Sequence, residues 1–326
     1  MDKAIELTAR RTPDDPSVSG SIPGGPTERA PAPVRYGGTL PRQPMPLFRS
    51  DGVALAYDDS GERVLSPVLL LHGLSSARGT WRGVARRLAG RYRVLALDQR
   101  GHGESEHAPG SYVLARYGAD TIAFCERVVG EPVALVGHSL GGVIAAFVTR
   151  RRPDLVLGAF LEDPPLFRGE ASQPGEGGLA SLFPALREML RELRRKGAAV
   201  SEYEALLNRA PTPGGGSIGD VLGPEGTRAQ AEAWASADPE VFTPAIEGTV
   251  VAGVEPEATL ARPVAIVRGD PARGAAFSAE DEKWFLAANP RASVTLFEAT
   301  SHGIHDERPE RFAAQLESFL AAVCGR

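Results

Sequence analysis

Short apolar runs without alternation recur along the chain, separated by stretches with helical spacing. Residues 68–71, 93–97, 133–136, 157–161, 264–267 and 293–297 predict buried strands, because they are near-continuously apolar and too short for helices. Residues 80–89, 112–129, 278–288 and 309–323 predict helices. Gly90 supplies a stop, Ser278 an N-cap and Pro309 a first-turn residue. Upstream, residues 46–49 and 53–57 flank Asp51-Gly52, a hairpin signal. Strands alternating with helices predict an α/β fold: a mostly parallel central sheet with helices on both faces. Chemistry in such sheets lies beyond the carboxyl ends of the strands. The residues there are His72-Gly73, Asp98-Gln99, Ser139, Asp163, Asp270 and His302.

Two intervals depart from the pattern. Residues 1–44 are rich in Pro, Gly, Ser and Thr and have few large apolar side chains, which predicts a tail that is disordered or draped over the domain. Residues 166–260 carry a charged helix near 179–196, the run Gly214-Gly215-Gly216 and a helix-like stretch near 227–235. They predict a helical cap inserted into a core of residues 45–165 and 261–326. The Arg and Glu of the charged helix, Arg187 and Arg191 among them, read as a solvated face with helical charge pairs.

The most informative stretch is Gly137-His138-Ser139-Leu140-Gly141, between the strand at 133–136 and the apolar run from Val143. A serine on a strand-to-helix turn has strained backbone angles and needs neighbours without side chains. Gly137 and Gly141 meet that demand. The turn lifts the Ser139 hydroxyl clear of the sheet and sets the Leu140 N–H at a helix start, where partial positive charge favours a developing oxyanion.

Composition narrows the field. The 326 residues carry a net charge of −5, which gives no nucleic-acid footprint. No apolar stretch is long enough to span a membrane, and no secretory signal is read. The two cysteines, Cys125 and Cys324, predict no disulfide, which fits a reducing, cytoplasmic setting. The histidines and carboxylates show no metal-ligand spacing, so neither metal nor cofactor is expected.

The ordered set His72-Gly73, Asp98-Gln99-Arg100-Gly101-His102-Gly103, Gly137-His138-Ser139-Leu140-Gly141-Gly142, Gly269-Asp270 and His302 resembles the α/β-hydrolase family from about Met45 onward. The resemblance implies Ser139 as nucleophile, His302 as general base and Asp270 as the acid that orients it. It also implies the Leu74 N–H as a second oxyanion donor beside Leu140. Asp163 is the alternative acid, since some members place theirs after that strand; Asp270 is favoured because it follows the penultimate strand and Gly269. His72, Gly73, His138, Arg78 and His305 are candidate substrate contacts. The implied activity is hydrolysis of a small carboxylic ester by a monomer or homodimer. A weaker likeness to phthalate monoester hydrolases would suit an arginine, Arg78, Arg187 or Arg191, pairing with a free carboxylate. Carbon–carbon bond hydrolase, lactonase and perhydrolase are alternatives of the same fold, and a small-molecule receptor is the non-enzyme alternative.

Overall fold

The computed structural model describes residues 46–166, 179–212 and 214–325. The expected tail, residues 1–44, lies outside the described residues, as do residues 167–178 and 213 of the expected cap. Eight strands make one sheet: β1 (Leu47–Ser50), β2 (Val53–Asp59), β3 (Pro67–Leu71), β4 (Arg93–Leu97), β5 (Val133–His138), β6 (Val156–Glu162), β7 (Val264–Arg268) and β8 (Ser293–Leu296). Their spatial order is β1-β2-β4-β3-β5-β6-β7-β8. The β1–β2 and β2–β4 pairs are antiparallel and every later pair is parallel. The hairpin closes at Asp51 and Gly52, both at positive φ (48° and 80°), which matches the right-handed twist of its strands.

The helices follow from the sequence between strands. A 3₁₀ turn (Arg78–Trp81) leads into α1 (Arg82–Leu88), and α2 (Leu114–Phe124) runs into a π-helical turn (Cys125–Val129). Helix α3 (Leu140–Arg151) follows β5. Four helices fill the described part of the β6–β7 interval: α4 (Phe183–Arg195), α5 (Val200–Leu207), α6 (Ile218–Ser236) and α7 (Thr243–Ile246). The chain then adds α8 (Ala279–Ala288), α9 (Ile304–Glu307) and α10 (Pro309–Cys324). Because strand side chains alternate faces, Leu69 and Leu71 join one core with Tyr117, Val143, Ile144 and Phe285. Val68 and Leu70 join the other with Trp81, Val84, Phe312 and Leu316.

Helix α6 is longer than its sequence signal, because Ser217 and Asp220 form a capping box well before the expected start. It breaks at Gly223 (φ 65°), before Pro224, and then continues along the 3₁₀ turn at Arg78–Trp81. Among the described residues no helix is long and apolar enough to cross a membrane.

Candidate active site

Ser139 joins β5 to α3 at φ 52° and ψ −118°, a strained conformation for a residue with a Cβ. The strain persists because the backbone is over-determined. Ser139 N donates to Glu162 O at 2.9 Å, and Val143 N donates to Ser139 O at 3.1 Å. A Cβ at Gly137 would overlap the Gly141 carbonyl, and one at Gly141 would overlap the Leu71 carbonyl. The two glycines therefore let the elbow fold flat against the end of β3. Leu140 opens α3, so its N–H has no acceptor within the helix. Gly73 packs directly on the elbow: a Cβ there would lie 3.3 Å from Ser139 Cβ and 3.0 Å from His138 Nδ1.

His302 Nδ1 donates to Asp163 Oδ2 at 2.6 Å. This corrects the expectation for Asp270. Asp163, itself at φ 44°, is fully buried, and its carboxylate also takes the backbone N–H groups of Ala276 (2.6 Å) and Phe277 (3.1 Å). Asp270 instead folds back to accept Ala272 N at 3.0 Å, capping the short turn after β7. With Nδ1–H committed to Asp163, the Nε2 of a neutral His302 carries the lone pair a general base needs. His138 Nε2 donates to the His302 carbonyl at 3.1 Å, and the two rings lie 4.7 Å apart. Burial lowers the His138 pKa to about 3, so this ring is a neutral brace on the backbone of His302.

The loop after β3 is held from its carbonyl side. Gln99 N donates to His72 Nε2 at 3.0 Å, so His72 Nδ1 carries the proton and donates to Gly73 O at 2.8 Å. His72 is fully buried, and burial first, with the neighbouring His102, pushes its pKa well below the ordinary histidine value. His102 Nε2 donates to Leu74 O at 2.5 Å. A trans peptide points its N–H away from its C=O, so fixing Gly73 O aims the Leu74 N–H.

Three expected substrate contacts are corrected. Both ring nitrogens of His72 are bonded within the protein, so it shapes the loop. Arg78 binds the carboxylates of Asp98, Glu104 and Asp58, because the Asp98-to-Glu104 segment wraps its guanidinium. His305 is buried, stacked on Trp81 at 4.5 Å, and its Nδ1 donates to Glu162 at 2.7 Å. It faces a cleft of about 480 Å³ between α1 and α6, lined by Arg82, Arg86, Leu222 and Asp306 rather than by Ser139. The arginines of α4 are also engaged: Arg187 with Thr243 and Glu188, and Arg191 with Glu240 and Glu188. Glu162, Gln230 and Trp81 join the surroundings of the site without having stood out in the sequence. Only position could have found Glu162, since it precedes Asp163 at the end of β6.

The chain is similar to several known proteins. The non-heme chloroperoxidase of Streptomyces lividans is 33% identical over 145 residues, covering 43% of this chain and 52% of that protein. Epoxide hydrolase 4 of Mus musculus is 35% identical over 113 residues, 34% of this chain and 31% of that protein. An uncharacterized protein of Mycobacterium tuberculosis is 38% identical over 89 residues, 27% and 26% of the two chains. The matched region thus spans between a quarter and about half of these relatives' lengths. Among solved structures, a deformylase from Pseudomonas putida S16 superposes with a TM-score of 0.68 at 21% identity, covering 84% of this chain and all of that one. An esterase from Rhodococcus sp. ECU1013 gives 0.66 at 24% identity, covering 85% and 98%. Those likenesses establish the fold. A family model described as the alpha/beta hydrolase family matches residues 68–315, most of the chain, and the protein belongs to that family.

Proposed function

We propose that the protein is a cofactor-free serine hydrolase that cleaves a small carboxylic ester through an acyl-enzyme. The observation that carries the reading is the 2.6 Å His302–Asp163 hydrogen bond, formed beside a serine held at φ 52°. Ser139 Oγ attacks the ester carbonyl carbon and its proton passes to His302 Nε2. Asp163 holds the ring and stabilises the imidazolium. The carbonyl oxygen, now an oxyanion, is bound by the N–H groups of Leu140 and Leu74. Collapse expels the alcohol, which takes the proton from His302. Water, deprotonated by the same ring, then attacks the acyl carbon; the Ser139 Oγ–acyl bond breaks, Ser139 Oγ takes the proton back from His302, and the carboxylic acid is released.

The esterase and enol-lactonase among the structural neighbours are in keeping with acyl chemistry on this fold. The relatives named chloroperoxidase and haloperoxidase favour one second reading, in which hydrogen peroxide replaces water and the product is a peracid. Arg78, Arg187 and Arg191 all bond within the protein, so a phthalate monoester gains no carboxylate partner from them. The reading therefore rests on a small ester without that requirement.

The test is turnover of p-nitrophenyl esters of graded acyl length by the wild type and by Ser139→Ala. Repeated turnover that falls at least about 10³-fold in the variant is the expected result. Equal rates in the two proteins overturn the serine mechanism, and a well-folded wild type without turnover on any acyl length overturns the esterase reading.

A further inference from the structure

Three consecutive carbonyls of the loop after β3 each receive a side-chain donor from a different part of the chain. Gly73 O takes His72 Nδ1 (2.8 Å) and Leu74 O takes His102 Nε2 (2.5 Å). Ser75 O takes Nε2 of Gln230, at 2.7 Å. Gln230 lies on α6, in the helical insertion and 155 residues away in sequence. Its Oε1 in turn accepts the Ser76 hydroxyl at 3.3 Å, so one amide grips two successive residues. Other α6 ties to the core include buried Ala231, a His107 Nε2 donor to Ser236 O at 3.0 Å, and the exposed ion pairs Arg82–Glu232 and Arg86–Glu225. Such pairs hold position weakly.

The Gln230 bond reaches the oxyanion donor through a short relay of peptide groups. Ser75 C=O and Ser76 N–H belong to one peptide plane. Ser76 N–H donates to Gly73 O at 3.1 Å. Gly73 C=O and Leu74 N–H belong to the next plane in the relay. Holding Ser75 O therefore orients Ser76 N–H, which holds Gly73 O, which aims Leu74 N–H. Hydrogen bonds linked in this way also polarise one another.

We propose that Gln230 is a positioning residue through which the helical insertion sets the oxyanion hole. It does not touch the reacting atoms. It keeps the Leu74 N–H aimed at the oxygen on which charge develops, so its contribution appears in the transition state and not in substrate binding. This deepens the proposed function and rests on it.

The experiment compares the wild type with Gln230→Met, which keeps length and volume but lacks both polar atoms, and with Gln230→Glu, which keeps shape but places an acceptor against Ser75 O. Labelling of Ser139 by a fluorophosphonate is timed in each, because the phosphoryl oxygen of that probe occupies the oxyanion hole during attack. Steady-state kinetics on the p-nitrophenyl ester are read alongside. Both variants label about tenfold more slowly, with kcat down by about the same factor and KM within about twofold. Glu232→Gln, which loosens an α6 contact away from the loop, labels at the wild-type rate.

Folding of each variant is checked by its melting curve, and either Gln230 variant that folds decides the matter. Labelling of a folded variant at the wild-type rate overturns the proposal while leaving the serine mechanism intact. A rise in KM at constant kcat also overturns it, since that marks a substrate contact. A wild type that does not label overturns the serine mechanism and the proposal with it.

Discussion

At the scale of single residues, two aspartates compete for one histidine. Asp163 and Asp270 both follow apolar strands in adjacent positions of the sheet, so sequence places both at the carboxyl end. Backbone conformation separates them. Asp163 adopts φ 44°, which turns its carboxylate toward the segment leading to His302. Asp270 stays in extended backbone and caps the next turn. A left-handed aspartate carries no signal in composition or spacing, which is why this assignment was not legible. Ser139 was legible because its strain requires two glycines that the sequence displays. Asp163→Asn is expected to lower kcat by about 10³- to 10⁴-fold, because the amide favours the wrong imidazole tautomer. Asp270→Asn is expected to change kcat by less than about twofold, since it only alters a turn cap. Steady-state kinetics on the best p-nitrophenyl ester check both, and the reverse order would return the acid role to Asp270.

At the scale of elements, the site depends on how closely α3 approaches β3. Gly141 lets the first turn of α3 rest on the Leu71 carbonyl, where the loop carrying Leu74 begins. The overlap that a methyl would create is with backbone, which cannot swing aside. Gly141→Ala is therefore expected to lose about 3 kcal/mol or more of unfolding free energy. Gly83 is the contrasting case. It lies in α1, and a methyl added there would meet nothing within 4 Å, so Gly83→Ala is expected to gain about 0.5–1 kcal/mol. Urea unfolding at constant m-value tests both. The same contrast explains what the sequence revealed about elements. The central strands read clearly because both faces are buried, leaving uninterrupted apolar runs. Helix α5 was not legible because Ala199 precedes it and offers no capping oxygen. Its cap is Glu202 reaching back to Ala199 N at 2.9 Å, half of a capping box.

At the scale of the whole molecule, the histidines beneath the site pull stability in opposite directions with pH. His138 and His72 are buried and resist protonation, His138 down to about 3. Their folded values lie below the unfolded one, about 6.5, so the unfolded chain binds more protons in acid and stability falls as pH drops below about 6.5. His305 runs the other way. Burial opposes its charge, yet the carboxylates of Asp306 and Glu162 and the Glu162 hydrogen bond raise it to about 9. Its contribution is complete below about 6.5 and is lost as pH rises through about 9. Besides those two carboxylates, the groups around it are His138, 5.4 Å away ring to ring, Trp81 and Phe312. Of these only His138 titrates below pH 9, and it is already neutral. Cys125, pushed up to about 12 by burial, destabilises in the same direction as His305 but only above about pH 8.5. Between pH 6.5 and 8.5 the His305 contribution is read by comparing the wild type with a variant that lacks the imidazole. Unfolding free energy measured at constant ionic strength is expected to peak near pH 6.5 and to decline toward 8.5. His305→Gln should start lower and stay nearly level across that interval, because the neutral amide has no charge to lose. A variant that declines as steeply as the wild type would show that another group controls the alkaline limb, and that the His305–Glu162 pair is not held charged in the folded protein.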